Sequence, residues 1–177
     1  MSRRMKLVYA TGVVILLMIV SGFAYFKYRY PYGWSHCCDK QLASALSQYA
    51  DIHDGWFPRG EATPEASFSL LYRMDPNYLH ALRGKTVPEE ALRARLNAGE
   101  LLTPQTCGWH YVEGLRSDDS PELALFWDKV GLGHNGERLP ERSHYVTFVN
   151  GTVEYIPGTD WDQFLKEQNE LRAAVRR

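Results

Sequence analysis

HYVTFVNGTVEYIP, residues 144–157, alternates apolar and polar positions on both sides of an Asn-Gly pair. A period of two is the pattern of a strand with one covered face, and Asn-Gly between two such runs is the strongest short-range hairpin signal. Read as a two-residue type I′ loop, Asn150 and Gly151 set Phe148 opposite Val153, Thr147 opposite Glu154 and Val146 opposite Tyr155, and residues facing each other across an antiparallel pair share a face. One face then carries Val146, Phe148, Val153 and Tyr155. The other carries Tyr145, Thr147, Val149, Thr152 and Glu154, a mixed set suited to a partly wet side. Asn150-Gly151-Thr152 also matches the glycosylation acceptor pattern, but the need for positive φ in a tight turn already explains Asn-Gly there.

Upstream of the hairpin, residues 108–115 and 123–129 read as two further strands, joined by the polar connections SDDSPE and GLGHNGERLPERS. Downstream, Thr159, Asp160, Trp161 and Asp162 cap a last helix with Trp161, Phe164, Leu165, Leu171 and Val175 along one stripe. Before the strands, Thr63-Pro64-Glu65 opens a helix over ASFSLLYRM, and Pro88-Glu89-Glu90 opens ALRARLNA, which Gly99 stops. Residues 35–53 form an amphipathic helix with Leu42, Ala45, Leu46, Tyr49, Ile52 and His53 on its apolar side, ended by Asp54-Gly55. The class is α+β: helices laid on a small antiparallel sheet, with a terminal helix closing one side.

The first 34 residues differ in kind. Leu7 to Phe26 is an uncharged apolar run of membrane-spanning length, with Arg3, Arg4 and Lys6 before it and Lys27 and Arg29 after. Tyr25, Phe26, Tyr28, Tyr30, Tyr32 and Trp34 crowd its far end, where amphipathic rings suit a lipid headgroup zone. The greater basic charge on the N-terminal side orients the chain with that end cytoplasmic and the C-terminal domain exported. Gly22-Phe23-Ala24 offers the alternative of a cleaved leader. Pro31 and Gly33 break the helix, so residues 1–34 form an anchor with a hinge and residues 35–177 a single exported domain.

The chain of 177 residues carries a net charge of −1, although residues 1–34 hold five basic side chains and no acid, so the exported part is acidic. It has no basic run to follow a phosphate backbone, which argues against nucleic acid as a partner. Three cysteines, Cys37, Cys38 and Cys107, allow one disulfide in an oxidising compartment, with either vicinal cysteine as the partner of Cys107.

Two sets of side chains are candidates for chemistry. His36, Cys37, Cys38, Cys107 and His110 are the residue types zinc prefers, though without a compact pair of chelating turns. His134 and His144 flank a glycine-rich loop and, with Asp128, supply a base and an orienting acid. No nucleophile elbow, metalloprotease helix or phosphate-cradling motif accompanies them, and no motif calls for a cofactor.

Several stretches taken in order resemble the pilin-like, type II secretion pseudopilin-like proteins of Planctomycetes and related bacteria, whose C-terminal motif is a histidine, nine spacers and Asp-Gly. They are Cys38-Asp39-Lys40-Gln41-Leu42 through Tyr49-Ala50-Asp51, then Gly55-Trp56-Phe57-Pro58, Cys107-Gly108 with Tyr111-Val112 and Gly114-Leu115, Phe126-Trp127-Asp128-Lys129, Gly133-His134-Asn135-Gly136 and residues 146–156. The resemblance covers about residues 36–165 and implies a pilin-like fold with an envelope role and no established reaction. The chain departs from the pattern twice. It lacks the prepilin peptidase signature, and Asn150-Gly151 stands for Asp-Gly, with His134 fifteen spacers before it and His144 five.

Residues and resemblance together lead to one expectation: a non-enzymatic, membrane-anchored envelope protein, held in lipid through residues 7–26. It acts as a structural or interaction component of a secretion or surface apparatus, with envelope proteins or further copies of itself as partners. The alternative is a membrane-tethered enzyme or zinc-binding domain using His134, His144, Asp128 or the cysteine and histidine set.

Overall fold

The computed structural model describes residues 2–34 and 39–175. Helix α1, Arg3–Arg29, is 27 residues long, none of them buried. At 1.5 Å per residue it measures about 40 Å, more than the roughly 30 Å of a bilayer's hydrocarbon layer. It is the one N-terminal helix of that length and apolarity among the described residues, as expected of a signal anchor or a signal sequence. Ser2 caps its start by accepting from the Met5 amide at 3.3 Å. The helix ends where Pro31 and Gly33 predict, with Gly33 at φ +87°. Across that break Arg29 and Arg138 exchange two hydrogen bonds: the Arg138 amide donates to the Arg29 carbonyl at 2.8 Å, and Arg29 Nη1 donates to the Arg138 carbonyl at 2.7 Å.

The remaining chain is α+β. Helices α2 (Asp39–Asp51), α3 (Pro64–Met74), the single turn α4 (Leu79–Leu82) and α5 (Glu89–Asn97) precede strands β1 (Trp109–Tyr111), β2 (Ala124–Asp128), β3 (His144–Phe148) and β4 (Val153–Ile156), and α6 (Trp161–Val175) follows. The strands form one antiparallel meander in the order β1-β2-β3-β4. Thr63 caps α3 as its sequence predicts, accepting from the Ala66 amide at 3.1 Å, and Pro88 precedes α5. The α2 stripe buries Leu42, Ala45, Leu46, Tyr49 and Ala50. Ile52, expected on that stripe, is exposed, because the helix ends at Asp51 and the Gly55 amide closes it on the Ala50 carbonyl at 2.9 Å. The strands β1 and β2 lie within the predicted segments but are shorter.

Helices cover both faces of the sheet. On one, Trp109 and Tyr111 meet α3 and α4: the Tyr111 ring stacks on Phe68 at 4.2 Å, and Trp109 Nε1 donates to the Ala81 carbonyl at 2.9 Å. On the other, Trp127, His144 and Phe148 meet Trp161 and Phe164 of α6. Gln168 pins α6 to the sheet, accepting from the Ala124 amide at 2.8 Å and donating to the Glu122 carbonyl at 2.9 Å. Leu42, Leu46, Phe68, Leu71, Leu82, Trp109, Phe126 and Val146 form the fully buried centre.

The hairpin register corrects the type I′ reading by one residue. Tyr145 pairs with Tyr155, Val146 with Glu154 and Thr147 with Val153. Asn150 does not have the positive φ that a type I′ turn demands, and only Gly151 does, at +79°. The Gly151 amide donates to the Phe148 carbonyl and the Phe148 amide to the Thr152 carbonyl, both at 2.9 Å, so the loop is three residues, Val149 to Gly151. The side chain of Asn150 selects it: Oδ1 accepts from the Thr152 amide at 3.0 Å and from Thr152 Oγ1 at 2.7 Å, an Asx turn that holds Asn150 in an ordinary conformation. With a side-chain period of two, this slip moves Val153 and Tyr155 off the face of Val146 and Phe148.

Candidate functional site

The displaced register builds an exposed edge. Because Phe148 and Thr152 form a hydrogen-bonded pair, alternation makes Val153 and Tyr155 non-hydrogen-bonded positions, whose amides and carbonyls point away from β3. Among the described residues strand β4 has no neighbour on that side. The same two residues expose their side chains, 44% for Val153 and 42% for Tyr155, and Tyr145 joins them with its ring 5.5 Å from that of Tyr155. Tyr155 is held upright by donating to Ser143 Oγ at 2.8 Å. The edge thus offers unpaired backbone groups beside an aromatic and apolar surface, the two ingredients of strand addition by a partner.

The histidine and acid candidates are not brought together. His144 lies on the α6 face, its ring stacked on Trp161 at 4.1 Å, and its Nδ1 donates to the backbone carbonyl of Asp128 at 3.1 Å. The carboxyl group of Asp128 projects to the opposite face, where Lys85 takes it. Burial, with the Asp128 carbonyl acting the other way, holds the His144 pKa below its ordinary value. His134 is exposed on the loop between β2 and β3.

Among the described residues no three His, Cys, Asp or Glu side chains are placed to hold one metal ion. Cys107 is a buried free thiol, 3.6 Å from the Trp109 carbonyl, and burial pushes its pKa up to about 12. His110 is exposed beside Trp127. His36, Cys37 and Cys38, and with them the disulfide alternatives for Cys107, lie outside the described residues.

One cluster has no counterpart in the sequence reading. Lys85, in the turn after α4, has a fully buried side chain, with Nζ 2.5 Å from Asp128 Oδ2 and 3.2 Å from Asp39 Oδ1. The Trp109 ring lies 5.6 Å from the same nitrogen. Among the described residues, Asp128 Oδ1 is buried with no hydrogen-bond partner. Burial pushes the Asp128 carboxyl up to about 7, against the opposing charge of Lys85 and with the help of Asp39. Two glycines make room for the lysine turn: Gly84 has φ +63°, and a Cβ on Gly108 would sit 2.6 Å from the Arg83 carbonyl. A lone Gly-Lys-Thr and two aspartates 89 residues apart carry no pattern, so only folding shows the cluster.

No protein-family model, curated protein or solved structure matches this chain. The class is therefore defined by architecture: an N-terminal apolar helix followed by a mixed domain of helices and a four-stranded antiparallel sheet.

Proposed function

We propose that this is a membrane-anchored, non-enzymatic component of a bacterial secretion or surface apparatus, with α1 retained as a signal anchor and the acidic domain on the exported side. Its work is contact. An envelope protein adds a strand along β4, making main-chain bonds to Val153 and Tyr155 and packing on Tyr145 and Tyr155. The observation that carries this reading is the conjunction, at one open edge, of outward backbone groups and exposed apolar side chains. The pilin-like resemblance supports an envelope setting, and the length and bareness of α1 support anchoring.

The test uses the full chain in its native membranes, with a photo-crosslinking residue at Val153 or, as control, at exposed Glu170 on α6. Crosslinks to a discrete envelope protein from position 153 alone are expected. With the crosslinker kept at position 153, Tyr155→Pro at the other outward amide removes no ladder hydrogen bond and should abolish them by blocking the edge. Equal or absent crosslinking at both positions refutes strand addition. A mature N-terminus near Tyr25 in a soluble fraction refutes anchoring.

A further inference from the structure

We propose that Lys85 and Asp128 are joined by an intramolecular isopeptide bond, formed by the folded chain itself with the carboxyl group of Asp39 relaying protons. The three side chains come from the turn after α4, from β2 and from the start of α2, and they meet where Nζ is 2.5 Å from Asp128 Oδ2 and 3.2 and 3.5 Å from the two oxygens of Asp39.

As an ion pair the arrangement is poorly resolved. A buried pair is sustained when its remaining lone pairs find donors, yet Asp128 Oδ1 is sealed from solvent with none among the described residues. Burial favours the neutral form of Asp128, and a neutral amine held beside a neutral carboxylic acid is the reactant pair for condensation. Fixing the two in contact replaces a bimolecular encounter by a unimolecular step, which is worth orders of magnitude in rate. The Trp109 ring and the surrounding core keep out the water that would reverse it.

The step balances without any co-reactant. The Lys85 nitrogen lone pair attacks Cγ of protonated Asp128, a C–N bond forms, and the carbonyl π pair moves onto oxygen. Asp39 takes a proton from the nitrogen and delivers it to the departing hydroxyl. The C–O bond breaks, the carbonyl re-forms, and one water leaves, so amine and acid become a secondary amide with no oxidation or reduction. The product removes both buried charges and ties the central strand to a turn 43 residues away in the chain.

The test is mass spectrometry of the full chain after reduction, intact and as proteolytic peptides. The expected result is the loss of one water, about 18 Da, with the Lys85 and Asp128 segments recovered as one branched peptide. Lys85→Arg, which keeps the charge but has no nucleophilic amine, should restore the full mass. Asp39→Asn should leave most of the chain unlinked. Lys85 and Asp128 in separate peptides of the wild-type protein overturn the proposal, whether or not the variants fold, and that result leaves the membrane-anchored reading untouched.

Discussion

Strands β3 and β4 belong to one hairpin and carry the same alternating kind of sequence, yet they meet opposite environments. Four of the five residues of β3 are buried, whereas Val153, Glu154 and Tyr155 of β4 are exposed. The difference lies in their neighbours. β3 is paired on both edges and sits between the helices on one face and α6 on the other, while β4 ends the sheet. Alternation therefore reports that a segment is a strand, and it does not report how many of its sides the rest of the chain covers.

The largest effect that would break this contrast is at Phe148, which is buried against Phe164. Phe148→Ala should cost about 3–5 kcal/mol in denaturant unfolding, the range for emptying an aromatic core site. A change below about 1 kcal/mol would mean that β3 is not the inner strand. Next comes Gly151, whose φ of +79° defines the three-residue loop. Gly151→Ala should cost about 1 kcal/mol, the usual penalty for a side chain at positive φ. Under the type I′ alternative Asn150 would carry the same strain, so Asn150→Ala would be equally harmful in its backbone term.

The inner strand should also confer a pH dependence through His144. His144 has its pKa lowered by burial, so the unfolded chain binds its proton first. Its contribution is fully present above the ordinary histidine value of about 6.5 and is lost as pH falls through that value toward the lower folded one. Thermal unfolding between pH 7 and pH 5 should show this loss as a difference between wild type and His144→Gln, a comparison in which the opposite contribution of Asp128, raised to about 7, cancels. The smallest effect is expected at the edge itself. Val153→Lys should change stability by no more than about 0.5 kcal/mol, as surface changes generally do. Amide exchange sharpens the point without mutation: the outward Val153 and Tyr155 amides should exchange far faster than that of Glu154, and equal protection at all three would mean that the β4 edge is covered.

Much of the fold was legible before folding. The caps Thr63 and Pro88, the stripe of Leu42, Leu46 and Tyr49, and the apolar run of α1 are local signals, produced by residues within a few positions of each other. The candidate chemistry was less legible. Asp128 and His144 looked like partners because both are polar and lie in neighbouring strands, yet the pleat sends their side chains to opposite faces. The hairpin is legible in the residues and its register is not, since Asn150 uses its side chain to stabilise a turn in which its backbone needs no positive φ.

By itself, then, the sequence determined the class of the molecule: an apolar helix long enough for a bilayer, a break at Pro31, amphipathic helices and a small antiparallel sheet. These follow from periodicity and turn chemistry, which act over a few residues. Tertiary structure alone decided which strand became the open edge and that Asp39, Lys85 and Asp128 meet in one buried place. Both depend on what distant segments cover, and burial, unlike propensity, is a property of the whole packed chain.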